Sequence, residues 1–74
     1  MNDGMPEIDE AFDEEAWEYL YLYQPKIADS IQTRVSKGDT PEKIKRHIVR
    51  RYGINREDIA TRCEAAARHL GTAK

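Results

Sequence analysis

Apolar residues recur at helical spacing in four separate stretches of this chain. In the first, Phe12, Ala16, Tyr19, Leu20 and Tyr23 share one face of a helix that begins at Ile8 or Asp9. Asp9, Glu10, Asp13, Glu14 and Glu15 crowd its opening turns, where the helix dipole favours negative charge. Trp17, Tyr19, Tyr21 and Tyr23 also alternate at period two, and aromatic residues favour strands. No second strand candidate exists to pair with that segment, which decides for a helix.

Gln24-Pro25 breaks the first helix, because a residue before proline avoids helical torsions. Pro25 suits the first turn of a second helix, which runs to about Lys37 with Ile27, Ile31 and Val35 inward and Gly38 as its stop. In Asp39-Thr40-Pro41-Glu42, Thr40 is a capping residue and Pro41 fits the first helical position. The third helix then extends to Tyr52 with Ile44, Ile48 and Tyr52 inward, and Gly53 ends it. Ile54 follows as an apolar anchor and Asn55 as a cap. A fourth helix, Arg56 to Leu70, turns Ile59, Cys63, Ala66 and Leu70 inward and stops at Gly71. The expected fold is all-α: a compact bundle of four short helices. Residues 1–7, with Gly4 and Pro6, form a flexible acidic leader, and 8–74 form a single helical domain.

Charge changes this picture more than composition does. Residues 1–36 hold nine acids against two bases, while residues 37–74 hold ten bases against five acids, so the overall net charge of −2 conceals an acidic half and a basic half. Such a chain offers two unlike surfaces to partners. On the third helix, Lys43, Arg46 and Arg50 fall three and four residues apart on the solvent face, flanked by Lys45 and Arg51. A stripe of this kind holds phosphates or an acidic protein surface, and otherwise is an ordinary solvated face.

The segment from Ile48 to Ile59 resembles a helix-turn-helix DNA-binding motif. Gly53, Ile54, Asn55 and Ile59 match the turn and the start of its second helix, and Ile48, Val49 and Tyr52 match the apolar positions of its first. Arg62 departs from the pattern where a second apolar contact is usual, with Cys63 beside it as a substitute. The resemblance covers about twelve residues of the 74. It implies that the last two helices form a helix-turn-helix-like pair in which Arg56, Thr61 and Arg68 face the groove of DNA while Lys43, Arg46 and Arg50 hold phosphates. Glu57 and Glu64 would oppose a phosphate-rich groove. They read more simply as a dipole partner and as an i,i+4 ion pair with Arg68.

On the first helix, Trp17 and Tyr21 point away from the expected core beside Glu14 and Glu18. Exposed aromatics one turn apart are typical interface anchors, although Trp17 is equally a core residue if the bundle wraps this helix on two sides. The alternative function is therefore a protein–protein adaptor or inhibitor acting through Glu14, Trp17, Glu18 and Tyr21, by nucleic-acid mimicry or as a homodimer surface. A fold-back of the acidic helix onto the basic half is a further arrangement of the same charges.

Catalysis is not expected. A 74-residue domain has little room for a deep cleft. His47 and His69 lack an acid–nucleophile pattern, and no glycine loop, calcium loop or zinc spacing appears, so neither a cofactor nor a metal site is expected. Cys63 stands alone, which rules out an intrachain disulfide. With no secretory leader or membrane-length apolar run, it points to a reducing, cytoplasmic setting with no membrane association. The leading expectation is a small cytosolic binding protein whose basic half engages an anionic partner, DNA before any other, in transcription regulation.

Overall fold

The computed structural model describes residues 10–72, so the expected leader, 1–7, lies outside the described residues. Four helices follow one another: α1 (Glu10–Tyr23), α2 (Pro25–Ser36), α3 (Pro41–Tyr52) and α4 (Glu57–Thr72), and no strand occurs among the described residues. The all-α bundle is thus the fold. Each junction follows from local chemistry. Pro25 occupies the first position of α2, where its missing N–H costs nothing. Gly38 takes φ +90°, and Asp39 N–H donates to Arg34 O at 3.2 Å to close the end of α2. Thr40 Oγ1 accepts a hydrogen bond from Lys43 N–H at 3.2 Å and caps α3. Gly53 takes the left-handed conformation, φ +63°, and Ile54 N–H returns to Val49 O at 3.0 Å.

Helix α4 is the centre of the bundle. It packs against α1, α2 and α3, whereas α1 and α3 do not pack on each other, so they lie on either side of it. Small side chains make this possible: Ala60, Cys63, Ala65, Ala66 and Ala67 are all buried. The alanine run brings neighbouring helices close and buries more of α4 than a single stripe. The expected stripe of Ile59, Cys63, Ala66 and Leu70 is correct at its middle and half-buried at its ends, and Ala65, outside that stripe, is also fully buried. Leu20, Ile31, Ile44 and Ile48 supply the bulk of the core, with Ile27 and Ala28 from α2 and with Trp17, Tyr19, Val35, Ile54, Ile59 and Leu70 packed around it.

Three boundaries and faces differ from the sequence expectation. Helix α4 starts one residue later and continues through Gly71, with Arg56 O, not Asn55, accepting from Ala60 N–H at its first turn. On α1 the inward positions are Asp13, Ala16 and Leu20, flanked by Trp17, while Phe12 is 36% exposed and Tyr23 is 67% exposed. The helix is rotated because Asp13 has a cation to meet on α4. Tyr52 is 38% exposed, since its hydroxyl sits at the bundle edge, 2.7 Å from Ser30 Oγ and donating to Lys26 O at 3.4 Å.

Candidate anion-binding surface

The residues of α3 divide by the helical period. Ile44 and Ile48 are fully buried, which fixes the rotation of the helix and sends Lys43, Arg46 and Arg50 to solvent on the opposite side. All three are exposed, and none closes an ion pair with any described residue, although Glu42 lies one turn before Arg46. From Lys43 to Arg50 the helix rises about 10.5 Å at 1.5 Å per residue. Their neighbours are already occupied. Lys45 reaches across to Glu64 of α4 at 3.8 Å, and the Arg51 guanidinium stands 5.8 Å from the centre of the Tyr52 ring.

The expected groove-facing residues do not form one surface. Arg56 is exposed at the entrance to α4, where its guanidinium grips the Asp58 carboxylate at 3.2 and 2.7 Å. Desolvation opposes ionisation of Asp58, yet the Arg56 hydrogen bond and charge, together with the backbone N–H groups of Ile59 and Asp58, outweigh it and hold that carboxyl below its ordinary value. Thr61 is exposed one turn further on. Arg68 faces the other way: it is half-buried against α1, its Nε and Nη2 donate to the two oxygens of Asp13 at 3.2 and 3.0 Å, and its Nη1 lies 3.7 Å from Glu64. The hydrogen bonds from Arg68 to Asp13 raise the Arg68 pKa further above its ordinary value against a smaller desolvation effect. Arg68 is therefore a structural cation, and the groove-facing position expected of it is corrected. The Glu64 pairing with Arg68 expected from their i,i+4 spacing is present, in competition with Lys45.

Helix α1 has two characters. Its inner side is gripped by arginines of α4: Arg68 on Asp13, and Arg62 with its guanidinium 4.3 Å from the centre of the Tyr19 ring. The two pairs lie six residues apart on each helix and in opposite order, as antiparallel helices require. Its outer side carries exposed Glu14, Glu15 and Glu18. Tyr21 and Leu22 are 64% and 67% exposed. Trp17 is half-buried against the core, with its ring 5.8 Å from that of Tyr21. The exposed acidic face of α1 and the basic face of α3 do not meet among the described residues, but the acidic helix does fold onto the basic half, through Arg68 and Arg62 of α4 on Asp13 and Tyr19.

A shallow cleft of about 460 Å³ opens between the α1–α2 corner and the α3–α4 turn, floored by Ile27, Ile54 and Ile59 and edged by Lys26 and Arg56. Cys63 is fully buried, and burial raises its thiol pKa to about 11. No group of three or more His, Cys, Asp or Glu residues with metal-binding geometry occurs among the described residues, and no described helix is long and apolar enough to cross a membrane. The residues that sequence reasoning missed are Asp13 and Arg62. Asp13 sat among acids explained by the helix dipole, and Arg62 stood out only as the polar intruder in the helix-turn-helix pattern. No family model, curated protein or solved structure matches this chain.

Proposed function

We propose that this protein binds DNA through the phosphate backbone, with Lys43, Arg46 and Arg50 of α3 as the phosphate contacts, and acts as a small regulatory DNA-binding protein. The observation that carries the reading is the exposed stripe itself: three cations on one helix face with no described carboxylate paired to them, while Lys45, Arg56 and Arg68 each hold one. A stripe of about 10.5 Å carrying three long, extensible side chains reaches neighbouring phosphates of a DNA backbone. Two arginines suit the task, since a guanidinium fork meets two phosphate oxygens at once.

Arg56 is a further exposed cation, at the start of α4. Its pair with Asp58 is solvent-exposed, and such pairs contribute only about 0–1 kcal/mol, so a phosphate can replace the carboxylate. Thr61, exposed further along α4, offers a hydroxyl. Glu57 and Asp58 repel phosphates at the same helix start, which weighs against deep insertion of α4 and in favour of backbone contact by α3.

Fluorescence anisotropy with a labelled mixed-sequence duplex tests the reading. The wild-type chain binds at low salt, and K43Q/R46Q/R50Q reduces affinity by at least tenfold while retaining its helical circular dichroism. Absence of binding at low salt, or equal affinity for the triple variant, would remove the proposal.

A further inference from the structure

We infer that the outer face of α1 is a docking surface for the α3 face of a second copy of this chain, giving head-to-tail self-association. Glu14, Glu15 and Glu18 stand exposed on α1 and line a shallow hollow with Phe12, and Tyr21 and Leu22 are about two-thirds exposed one turn further along. A symmetric pairing of α1 with α1 is disfavoured by charge. The segment from Glu10 to Tyr23 contains no lysine or arginine, so two copies would face carboxylates with carboxylates. The occupant must be cationic, and the chain itself supplies one.

The complement is geometric as well as electrostatic. Glu14 and Glu18 are four residues apart, as are Arg46 and Arg50, so each pair rises about 6 Å along its helix. Arginine is also the cation that stacks on aromatic rings, and Tyr21 and Trp17 lie beside these carboxylates. The molecule already uses this chemistry internally. On the other side of α1, Arg68 takes a carboxylate and Arg62 takes a tyrosine ring. The outer face repeats the same acid-and-aromatic arrangement with no described partner for Glu14 or Glu18, while Arg46 and Arg50 pair with no described carboxylate.

The α1 and α3 faces lie on different sides of α4, so contact between them is heterologous and leaves each end of a dimer with one unused surface. Because the two faces do not share one side of the molecule, a two-copy contact does not close on itself, and association continues into a ring or an open chain. It occupies the stripe assigned above to phosphates without depending on that assignment.

Sedimentation velocity on the full chain, without DNA, tests the inference from micromolar to millimolar concentration. At low salt the weight-average mass rises with concentration beyond twice the 8.6 kDa monomer, and at high salt it returns to the monomer. E14Q/E18Q and R46Q/R50Q are each monomeric at low salt and folded by circular dichroism. Their equimolar mixture forms a one-to-one complex that grows no further, because only one live surface of each kind remains. A chain that stays monomeric throughout, association that survives either substitution or high salt, or a mixture of the variants that stays monomeric would each overturn it. E14Q/E18Q keeps the α3 stripe, so its DNA affinity separates failure of this inference from failure of the DNA-binding reading.

Discussion

Arg68 holds Asp13 by both arms of its guanidinium, Nε to one carboxylate oxygen and Nη2 to the other, across the interface between the last helix and the first. The Asp13 side chain is 5% exposed and that of Arg68 is 30% exposed, so the carboxylate is nearly dry and the cation is open on one side. The pair sets the rotation of α1. It is also the point where the acidic and basic halves of the sequence meet.

Removing one partner of this pair costs more than removing both. Breaking a fully buried pair destabilises by about 3–5 kcal/mol, and the exposure of Arg68 lowers that, so Arg68→Ala costs about 2–4 kcal/mol by leaving Asp13 unpaired. Asp13→Ala costs less, because the arginine can turn toward water and Glu64. The double variant D13A/R68A is more stable than the sum of the single losses predicts. Urea denaturation of the four proteins gives the coupling energy, and simple additivity would mean that the pair contributes nothing as a pair.

Trp17 is a half-buried packing residue, with its ring against the core on one side and Tyr21 on the other. Trp17→Ala lowers stability by about 2 kcal/mol, below the range for a fully buried aromatic. Tyr21→Ala changes stability by less than about 0.5 kcal/mol, as expected of an exposed side chain. Thermal unfolding followed by circular dichroism distinguishes the two. A W17A variant as stable as the wild type would place the indole outside the core.

The left-handed turn at Gly53 controls how α3 enters α4. Gly53→Ala costs about 1–2 kcal/mol, because any β-carbon at φ +63° is strained, while the space around it is open and adds no clash. Thr40→Ala removes the cap of α3 and costs about 1 kcal/mol. Both variants retain the fold, and equilibrium unfolding measures the losses.

The Cys63 thiol links stability to alkaline pH. Its folded pKa stands at about 11 against an ordinary value of 9.0, so the unfolded chain releases the proton first. The contribution is fully present below pH 9 and is lost as pH rises toward 11, amounting to about 2–3 kcal/mol. Cys63→Ala flattens this part of the stability–pH curve. A slope equal in both proteins between pH 9 and 11 would contradict burial as the origin of the shift. In the native state the thiol reacts slowly with thiol reagents at neutral pH, and denaturant releases it.

The four helices were legible because their ends carry strong local chemistry: Pro25, Thr40-Pro41, Gly38 and Gly53 act within a turn of where they stand. The cores of α2 and α3 were legible for the same reason, since Ile27, Ile31, Ile44 and Ile48 are the large apolar residues on otherwise polar helices. The face of α1 was not. Its aromatic residues occur all round the helix, and the deciding contact is 55 residues away, between Asp13 and Arg68. Nor did the pattern show that the small residues Ala65, Ala66 and Ala67 would place α4 at the centre, because alanines carry weak periodicity. The α3 stripe was visible because buried isoleucines leave only one direction for Lys43, Arg46 and Arg50. The groove-facing role of Arg68 failed because a wheel drawn for α4 alone does not include α1.

The most direct test of the α3 surface is the salt dependence of DNA affinity. Three phosphate contacts release about three counterions, so log K falls against log salt with a slope of about −2.7 for the wild type. Each single substitution, K43Q, R46Q or R50Q, makes that slope shallower by about 0.9, with the same effect on duplexes of unrelated sequence. A slope near zero in the wild type, or slopes unchanged in all three variants, would show that this face of the protein does not hold DNA.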